Sequence, residues 1–338
     1  MSRIFFLQVK LILGSNMIKK ILVTGSAGFI GFHLSELLLK NEFVVIGVDC
    51  ITDYYDQNLK LDRLKILLNY ERFFDERLDI TNFEELSEIF ARHLPNYVIH
   101  LAAQAGVRYS IQNPRIYLNS NIIGTFNVIE SAKKFKVKHL IIGSSSSVYG
   151  ANKKFPFQEI DKTDNQVSFY ASTKKSTESL AHSYASLWRL PITVLRFFTV
   201  YGPWGRPDMA YYKFAYKIFN NEKIDVFNYG KHKRDFTYID DVTSFIKLVC
   251  KNSLIKSKEA HIFNVGNSNP IKLTYLIELI ESYLGKKAQI RLQKKQIGDV
   301  DITYANMKNV EKKMQFKTKV SIEDGMKHFI DWFLDYHR

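Results

Sequence analysis

Two groups of residues in this 338-residue chain have types and spacings suited to chemistry. The first is Tyr170-Ala171-Ser172-Thr173-Lys174, whose tyrosine and lysine share one face if the segment is helical. A free tyrosine titrates near pH ~10 and is a poor base at neutrality. A cation beside it stabilises the phenolate, so the pair could take a proton from a hydroxyl group. The second is Ser144-Ser145-Ser146-Ser147, between an apolar run and Val148-Tyr149-Gly150. Consecutive hydroxyls suit neither a core nor an ordinary strand. They suit a site that needs hydrogen bonds and no charge.

A third group positions a ligand. Gly25-Ser26-Ala27-Gly28-Phe29-Ile30-Gly31 follows an apolar run and opens an amphipathic stretch, FHLSELLLK. In that context Gly25 permits a tight turn, Gly28 lets backbone approach a pyrophosphate, and Gly31 lets helix pack on strand. Asp49 ends the next apolar run, where a carboxylate can accept both hydroxyls of an adenosine ribose. Its charge repels a 2′-phosphate, and Cys50, Ile51 and Thr52 supply no basic replacement, so NAD is expected rather than NADP.

The elements that must hold these residues read as alternating strands and helices. Strands are predicted at 18–23, 43–49, 97–103, 139–145 and 192–198, and helices near 83–93, 115–134 and 170–187. Near-continuous apolar strands argue for a parallel, doubly wound Rossmann-type α/β sheet. Past Pro203 the texture changes to Gly, Pro and aromatics with short, irregular elements, and residues 261–266 read as one more buried strand returning to the sheet. The organisation expected is an extension at 1–16 that is not a signal peptide, a nucleotide-binding domain at 17–202 joined by 235–266, and a smaller, partly interleaved domain from 203–234 and 267–338. Met17 reads as the start of the folded chain.

Composition excludes several classes. Apolar residues make up 46% and charged residues 24%, as in ordinary globular proteins, and no run is long enough for a membrane span. Cys50 and Cys250 cannot build a disulfide framework, no metal site is expected, and a reducing cytoplasm is the simplest setting. The net charge of +14 raises nucleic-acid binding, by a catalytically idle Rossmann protein. Its basic residues are dispersed rather than clustered, and Tyr170 and Lys174 are intact, so no nucleic-acid partner is expected.

The glycine spacing, the Tyr-x-x-x-Lys segment and the serine-rich strand end together resemble the extended branch of the short-chain dehydrogenase/reductase superfamily. The resemblance runs from Met17 onward. It implies a bound NAD with Asp79 and Ile80 beside the adenine, Leu101, Ala102 and Ala103 lining the trough, and Asn121 near the nicotinamide half. Lys174 would also hold the nicotinamide ribose.

The window Ser145-Ser146-Ser147 then sorts the chemistry. Related 4,6-dehydratases carry Asp-Glu at its last two positions, and related decarboxylases usually carry Glu at the third. Two serines supply neither acid nor base at neutrality. What remains is oxidation at C4 of a sugar nucleotide and return of the hydride. Ser145 matches the family's catalytic Ser/Thr, relaying the C4 hydroxyl proton to Tyr170. Thr199, where glucose epimerases carry Asn, resembles the UDP-glucuronate 4-epimerases, as do Trp204 to Met209, DYYDQNLK, QAGVRYSIQNP and RDFTYIDD. The activity implied is interconversion of UDP-glucuronate and UDP-galacturonate, typically for capsule or surface polysaccharide. An epimerase of another UDP-hexose is the enzymatic alternative.

A 4-keto uronate is a β-keto acid and loses CO2 when the scissile bond lies parallel to the carbonyl π-system. Ser146, Ser147 and Thr199 are expected to hold the carboxylate out of that alignment. By the same resemblance Arg206 and Arg234 hold the diphosphate, with Arg108 a weaker candidate for it or the sugar. Val226 and Phe227 pack on the uracil, and Asp299 accepts from the uridine ribose. Related epimerases have an arginine near Gln296, which leaves the second phosphate contact open. A homodimer pairing the helices near 115–134 and 170–187 is implied.

Overall fold

The structure, a computed structural model, describes residues 19–251, 259–296 and 298–338. The expected extension at 1–16 and the first residue of the expected 18–23 strand lie outside the described residues.

The apolar runs become strands because both sheet faces are covered. Strands β1 (Lys20–Thr24), β2 (Val44–Asp49), β3 (Phe73–Arg77), β4 (Tyr97–His100), β5 (His139–Ser145), β6 (Ile192–Phe197) and β10 (His261–Val265) form a sheet in the order β10-β6-β5-β4-β1-β2-β3. Every neighbouring pair in it is parallel. Alternate side chains enter opposite cores: Ile21, Val23 and Ile141 join one, while Leu22, Leu140 and Ile142 join the other. Each such buried side chain contributes about 1.5–3 kcal/mol, which fixes the register on both faces.

The covering helices include α1 (Phe29–Lys40), α2 (Gln57–Leu68), α3 (Phe83–His93), α4 (Gly124–Lys134) and α5 (Phe169–Trp188). Ser168 caps α5, its side chain accepting from the Ala171 amide, so Tyr170 falls in the first turn and Lys174 one turn later. The remaining helices are α6 (Ala210–Phe219), α7 (Ile239–Lys251), α8 (Leu273–Leu284), α9 (Lys308–Met314) and α10 (Ile322–His337). A second sheet joins β7 (Thr199–Tyr201), β9 (Lys233–Tyr238), β11 (Pro270–Lys272) and β13 (Ile302–Thr303), and β8 (Lys223–Phe227) pairs with β12 (Gln289–Gln293).

The structure departs from the sequence expectations in four places. The strand expected at 97–103 stops at His100, because the Leu101 and Ala102 amides turn to the Thr24 hydroxyl, each at 3.2 Å. The helix expected at 115–134 begins with a short turn at Pro114–Tyr117 and a wide turn at Leu118–Ile123 before α4. Helix α2 escaped the periodicity reading because its inner face buries Lys60 and Arg63 beside Leu59, Leu64 and Leu67. Nor are the elements past Pro203 all short, since α7 runs 13 residues.

Candidate active site

The glycine loop is held too tightly for any side chain at two positions. Gly25 has φ +74°, and a Cβ there would stand 2.8 Å from the Ala102 nitrogen. A Cβ on Gly31 would meet the Gly25 carbonyl oxygen at 2.0 Å, so α1 can approach β1 only through glycine. Gly28 opens α1 without a side-chain cap, which leaves the helix N-terminus to an anion. The Asp49 carboxylate accepts from the Ala27 amide at 3.0 Å and the Ile51 amide at 2.8 Å, fixing it at the end of β2.

These residues open into one cavity of about 800 Å³ along the carboxyl ends of the central strands. Phe29, Ile30, Asp79, Ile80, Leu101, Ala102 and Ala103 line its cofactor half. A close-packed loop, an uncapped helix end, a carboxylate at the end of β2 and an apolar trough fit a dinucleotide. Asn121 does not line the cavity. It is fully buried, its Nδ2 donating to the Gln104 carbonyl and the Thr173 hydroxyl, each at 3.0 Å. Its Oδ1 accepts from the Gln104 amide at 2.8 Å, so its polar atoms brace the trough from behind.

At the reacting end Tyr170 and Lys174 face the tip of β5. Lys174 Nζ donates to the Gly143 carbonyl at 2.8 Å, and burial lowers its ammonium to about 8, against a smaller raising influence of Glu178. Burial pushes the Tyr170 phenol upward, while the Ser145 hydroxyl and the Arg206 charge pull it down. Ser145 Oγ also accepts from the Ser147 amide at 3.1 Å, which turns the chain so that Ser146 and Ser147 line the cavity. Ser144 differs: its hydroxyl donates to Glu178 Oε1 at 2.7 Å. Thr199 lines the cavity from the start of β7.

The residues expected to hold the substrate fall into two places. Arg108, Phe227, Arg234 and Asp299 line one end. There Arg108 stacks over the Phe227 ring at 4.7 Å and its Nη2 reaches Asp299 Oδ2 at 3.3 Å. Arg234 Nη1 donates to the Asp301 carbonyl at 3.1 Å, and Asp299 and Arg108 both act on its charge. Arg206 lies elsewhere, close enough to influence Tyr170. Val226 does not line the cavity; strand alternation sends it into the core while Asp225 and Phe227 face out.

Sequence reasoning passed over several lining residues. Lys60 reaches the Asp49 end from α2, with Nζ donating to the Thr52 carbonyl at 2.7 Å and its hydroxyl at 2.8 Å. So a basic group does stand near Asp49, although not in the loop after it. Lys213 and Lys217, one turn apart on α6, add cationic lining, and Tyr54 and Asp208 surround Arg206. Tyr54, Lys60 and Asp208 lie in the segments DYYDQNLK and Trp204 to Met209 that carry the resemblance, which assigns them no role, and Lys213 and Lys217 show only their (i, i+4) spacing. Among the described residues no cluster is suited to hold a metal ion.

A tyrosine–lysine helix facing a hydroxyl-rich strand end, beside a dinucleotide trough, defines an enzyme of the short-chain dehydrogenase class. The chain belongs to the NAD dependent epimerase/dehydratase family, whose model matches residues 21–266. It is 46% identical to Protein CapI of Staphylococcus aureus, over 94% of this chain and 99% of that protein. It is 41% identical to a probable UDP-glucuronate 4-epimerase of Rhizobium meliloti (strain 1021), over 94% and 97%. Among solved structures it resembles the UDP-glucuronic acid 4-epimerase of Bacillus cereus in complex with UDP-glucuronic acid and NAD. There the TM-score is 0.89 at 34% identity, covering 94% of this chain and 99% of that one.

Proposed function

We propose that this chain interconverts UDP-glucuronate and UDP-galacturonate by epimerisation at C4 through a 4-keto sugar, with NAD retained throughout. One observation carries the reading. The Tyr170–Lys174 pair shares its cavity with Ser145, Ser146, Ser147 and Thr199, and the strand end it faces bears no carboxylate. Elimination needs an acid and a base there; a transient oxidation needs only a proton relay. The likeness to UDP-glucuronate 4-epimerases from Rhizobium meliloti and Bacillus cereus supports the same substrate.

When bound, NAD supplies the acceptor and later the donor of the C4 hydride. The chain's residues do the rest. Ser145 holds the C4 oxygen and passes its proton to Tyr170, whose phenolate the Ser145 hydroxyl and the Arg206 charge favour, with Lys174 one turn along α5. Arg108, Phe227, Arg234 and Asp299 hold the uridine and diphosphate, so that the keto sugar can turn about its linkage and present its other face. Tyr170 then returns the proton. Ser146, Ser147 and Thr199 hold the carboxylate in a rotamer that resists decarboxylation. The influence of Arg206 on Tyr170 supports a place for this arginine at the sugar.

The same reading has the enzyme working in the cytoplasm as a homodimer, supplying a polysaccharide pathway. Exposed Ile116, Leu118, Phe126, Leu187 and Trp188 on the two helical segments support the pairing. No described helix is long and apolar enough to cross a membrane. Proton NMR of the purified protein with UDP-glucuronate and no added cofactor tests the reaction. UDP-galacturonate is expected to accumulate to equilibrium; turnover of UDP-glucose or UDP-N-acetylglucosamine but not of UDP-glucuronate would overturn the substrate assignment.

A further inference from the structure

The face of α5 that carries Tyr170 and Lys174 continues one turn further, to Glu178, which is 1% exposed. Its Oε1 accepts from Ser144 Oγ at 2.7 Å and from Arg196 Nε at 2.9 Å, and its Oε2 accepts from Arg196 Nη2 at 2.8 Å. Arg196, on β6, is 2% exposed, stacks over the Tyr149 ring at 4.9 Å and donates from Nη1 to the Glu159 carbonyl at 3.2 Å. One carboxylate therefore ties α5 to β5 and β6 immediately beneath Ser145.

We propose that Glu178 is a positioning residue for the epimerase reaction, holding the serine strand end through Ser144 and setting the charge of Lys174 from one turn along the same helix face. It touches neither sugar nor dinucleotide, since it does not line the cavity. The proposal rests on the proposed reaction only for its kinetic readout.

A charge so deeply buried needs a reason. An ion pair replaced by apolar side chains of similar volume is often no less stable, so burial alone does not explain why a carboxylate stands here. Its neighbours do. Around Lys174 stand Tyr170 and Glu178 on its own helix, His100 on β4 and the Gly143 carbonyl on β5. His100 is kept neutral by burial, with Lys174 adding to that effect, and its two ring nitrogens sit at 2.7 and 2.9 Å from the Thr24 and Thr125 hydroxyls. Among these groups only Glu178 brings negative charge toward the lysine, and it raises the Lys174 ammonium against the burial that lowers it. Arg196 in turn holds that carboxylate in place through Nε and Nη2.

The test is E178Q together with the double variant E178M/R196M, which removes the pair without stranding a buried charge. Lys174 Nζ is followed by NMR after selective 15N-lysine labelling, assigned as the signal missing in K174A, and kcat is measured against pH. In both variants the Nζ titration and the alkaline limb of kcat are expected to move together to lower pH. An unmoved Nζ titration in the folded double variant, whatever its melting temperature, would overturn the proposal. The Nζ signal reads out even if UDP-glucuronate is not turned over, so a wrong substrate and a wrong role for Glu178 give different results.

Discussion

Arg206 reaches two residues along the chain to Asp208, Nε to Oδ1 at 2.9 Å and Nη2 to Oδ2 at 2.5 Å, and Tyr54 donates to the same Oδ2 at 3.2 Å. The Arg206 charge holds the Asp208 carboxyl below its usual range against burial. Two faces of the guanidinium are thus committed, and no described residue engages Nη1. The arginine is aimed by its neighbour and keeps its Nη1 amino group for a ligand. Because its charge acts on Tyr170, the sugar carboxylate is its expected partner. A hydrogen bond to a charged group contributes about 1.5–3 kcal/mol, so Arg206→Met is expected to weaken UDP-glucuronate by roughly ten-fold or more and UDP-glucose much less. Calorimetric titration of both nucleotides decides it; equal losses would return Arg206 to the diphosphate.

Tyr170→Phe removes the proton acceptor and leaves the ring, which packs edge-on to Tyr117 at 6.1 Å between centroids. The expected result is a fall in kcat of ~10²–10⁴-fold with unchanged melting temperature and unchanged NAD content. Near-normal turnover in the variant would remove Tyr170 from the mechanism.

Much of this site was legible because its parts are local in sequence. Gly25 to Gly31 and Tyr170 to Lys174 each lie within one turn or loop, and the apolar runs around them carry a period that only a covered parallel sheet satisfies. What was not legible depends on contacts across the fold. The sequence could not show that Arg206 and Arg234 would part company, because that follows from how the 203–209 segment and β9 pack. Nor could it show that Asn121 spends its amide on Gln104 and Thr173, or that Val226 turns inward. Helix α2 was hidden by its own buried Lys60 and Arg63, which read as surface charge. Arg63 donates to the Ala27 and Gly205 carbonyls, tying the cofactor loop to the segment before Arg206.

Lys174 illustrates how function costs stability. Its ammonium is lowered from 10.5 to about 8 by burial. A lysine that binds its proton more weakly when folded opposes folding, and the opposition is greatest below the folded value of about 8. Between about 8 and 10.5 the unfolded chain binds more protons, so stability rises with pH and the penalty fades. At about 1.4 kcal/mol per unit the penalty is of the order of 3 kcal/mol at neutral pH. Lys174→Met is therefore expected to unfold later than the wild type at pH 7 while losing activity, with the advantage shrinking by pH 10.5. Denaturant melts of the cofactor-free proteins at both pH values check the sign; a less stable variant at pH 7 would mean that the Gly143 hydrogen bond outweighs the desolvation.

Thr199→Ala and Ser146→Ala address the carboxylate. If these hydroxyls keep the carboxylate out of line with the C4 carbonyl π-system, each variant is expected to release a larger share of UDP-pentose for every UDP-galacturonate formed. Product ratios by NMR measure this directly. Slower epimerisation with an unchanged ratio would show that the hydroxyls serve binding alone.

Asp49 and Lys60 are together expected to set the choice of dinucleotide. The carboxylate occupies the end of β2, and Lys60, held by Thr52 and stacked 4.5 Å over the Tyr55 ring, lines the same end of the cavity. Burial lowers the Lys60 ammonium while Asp49 supports it, so the two charges offset one another. Removing the carboxylate alone unmasks the lysine where a 2′-phosphate would sit. Asp49→Ser is thus expected to lose NAD affinity by roughly ten-fold, the worth of a charged hydrogen bond, and to gain affinity for NADP. In the double variant D49S/K60M the NAD loss should persist and the NADP gain should vanish. Dinucleotide retained after gel filtration, quantified for each variant, distinguishes the two; an NADP gain that survives loss of Lys60 would show that this lysine does not meet the ribose end.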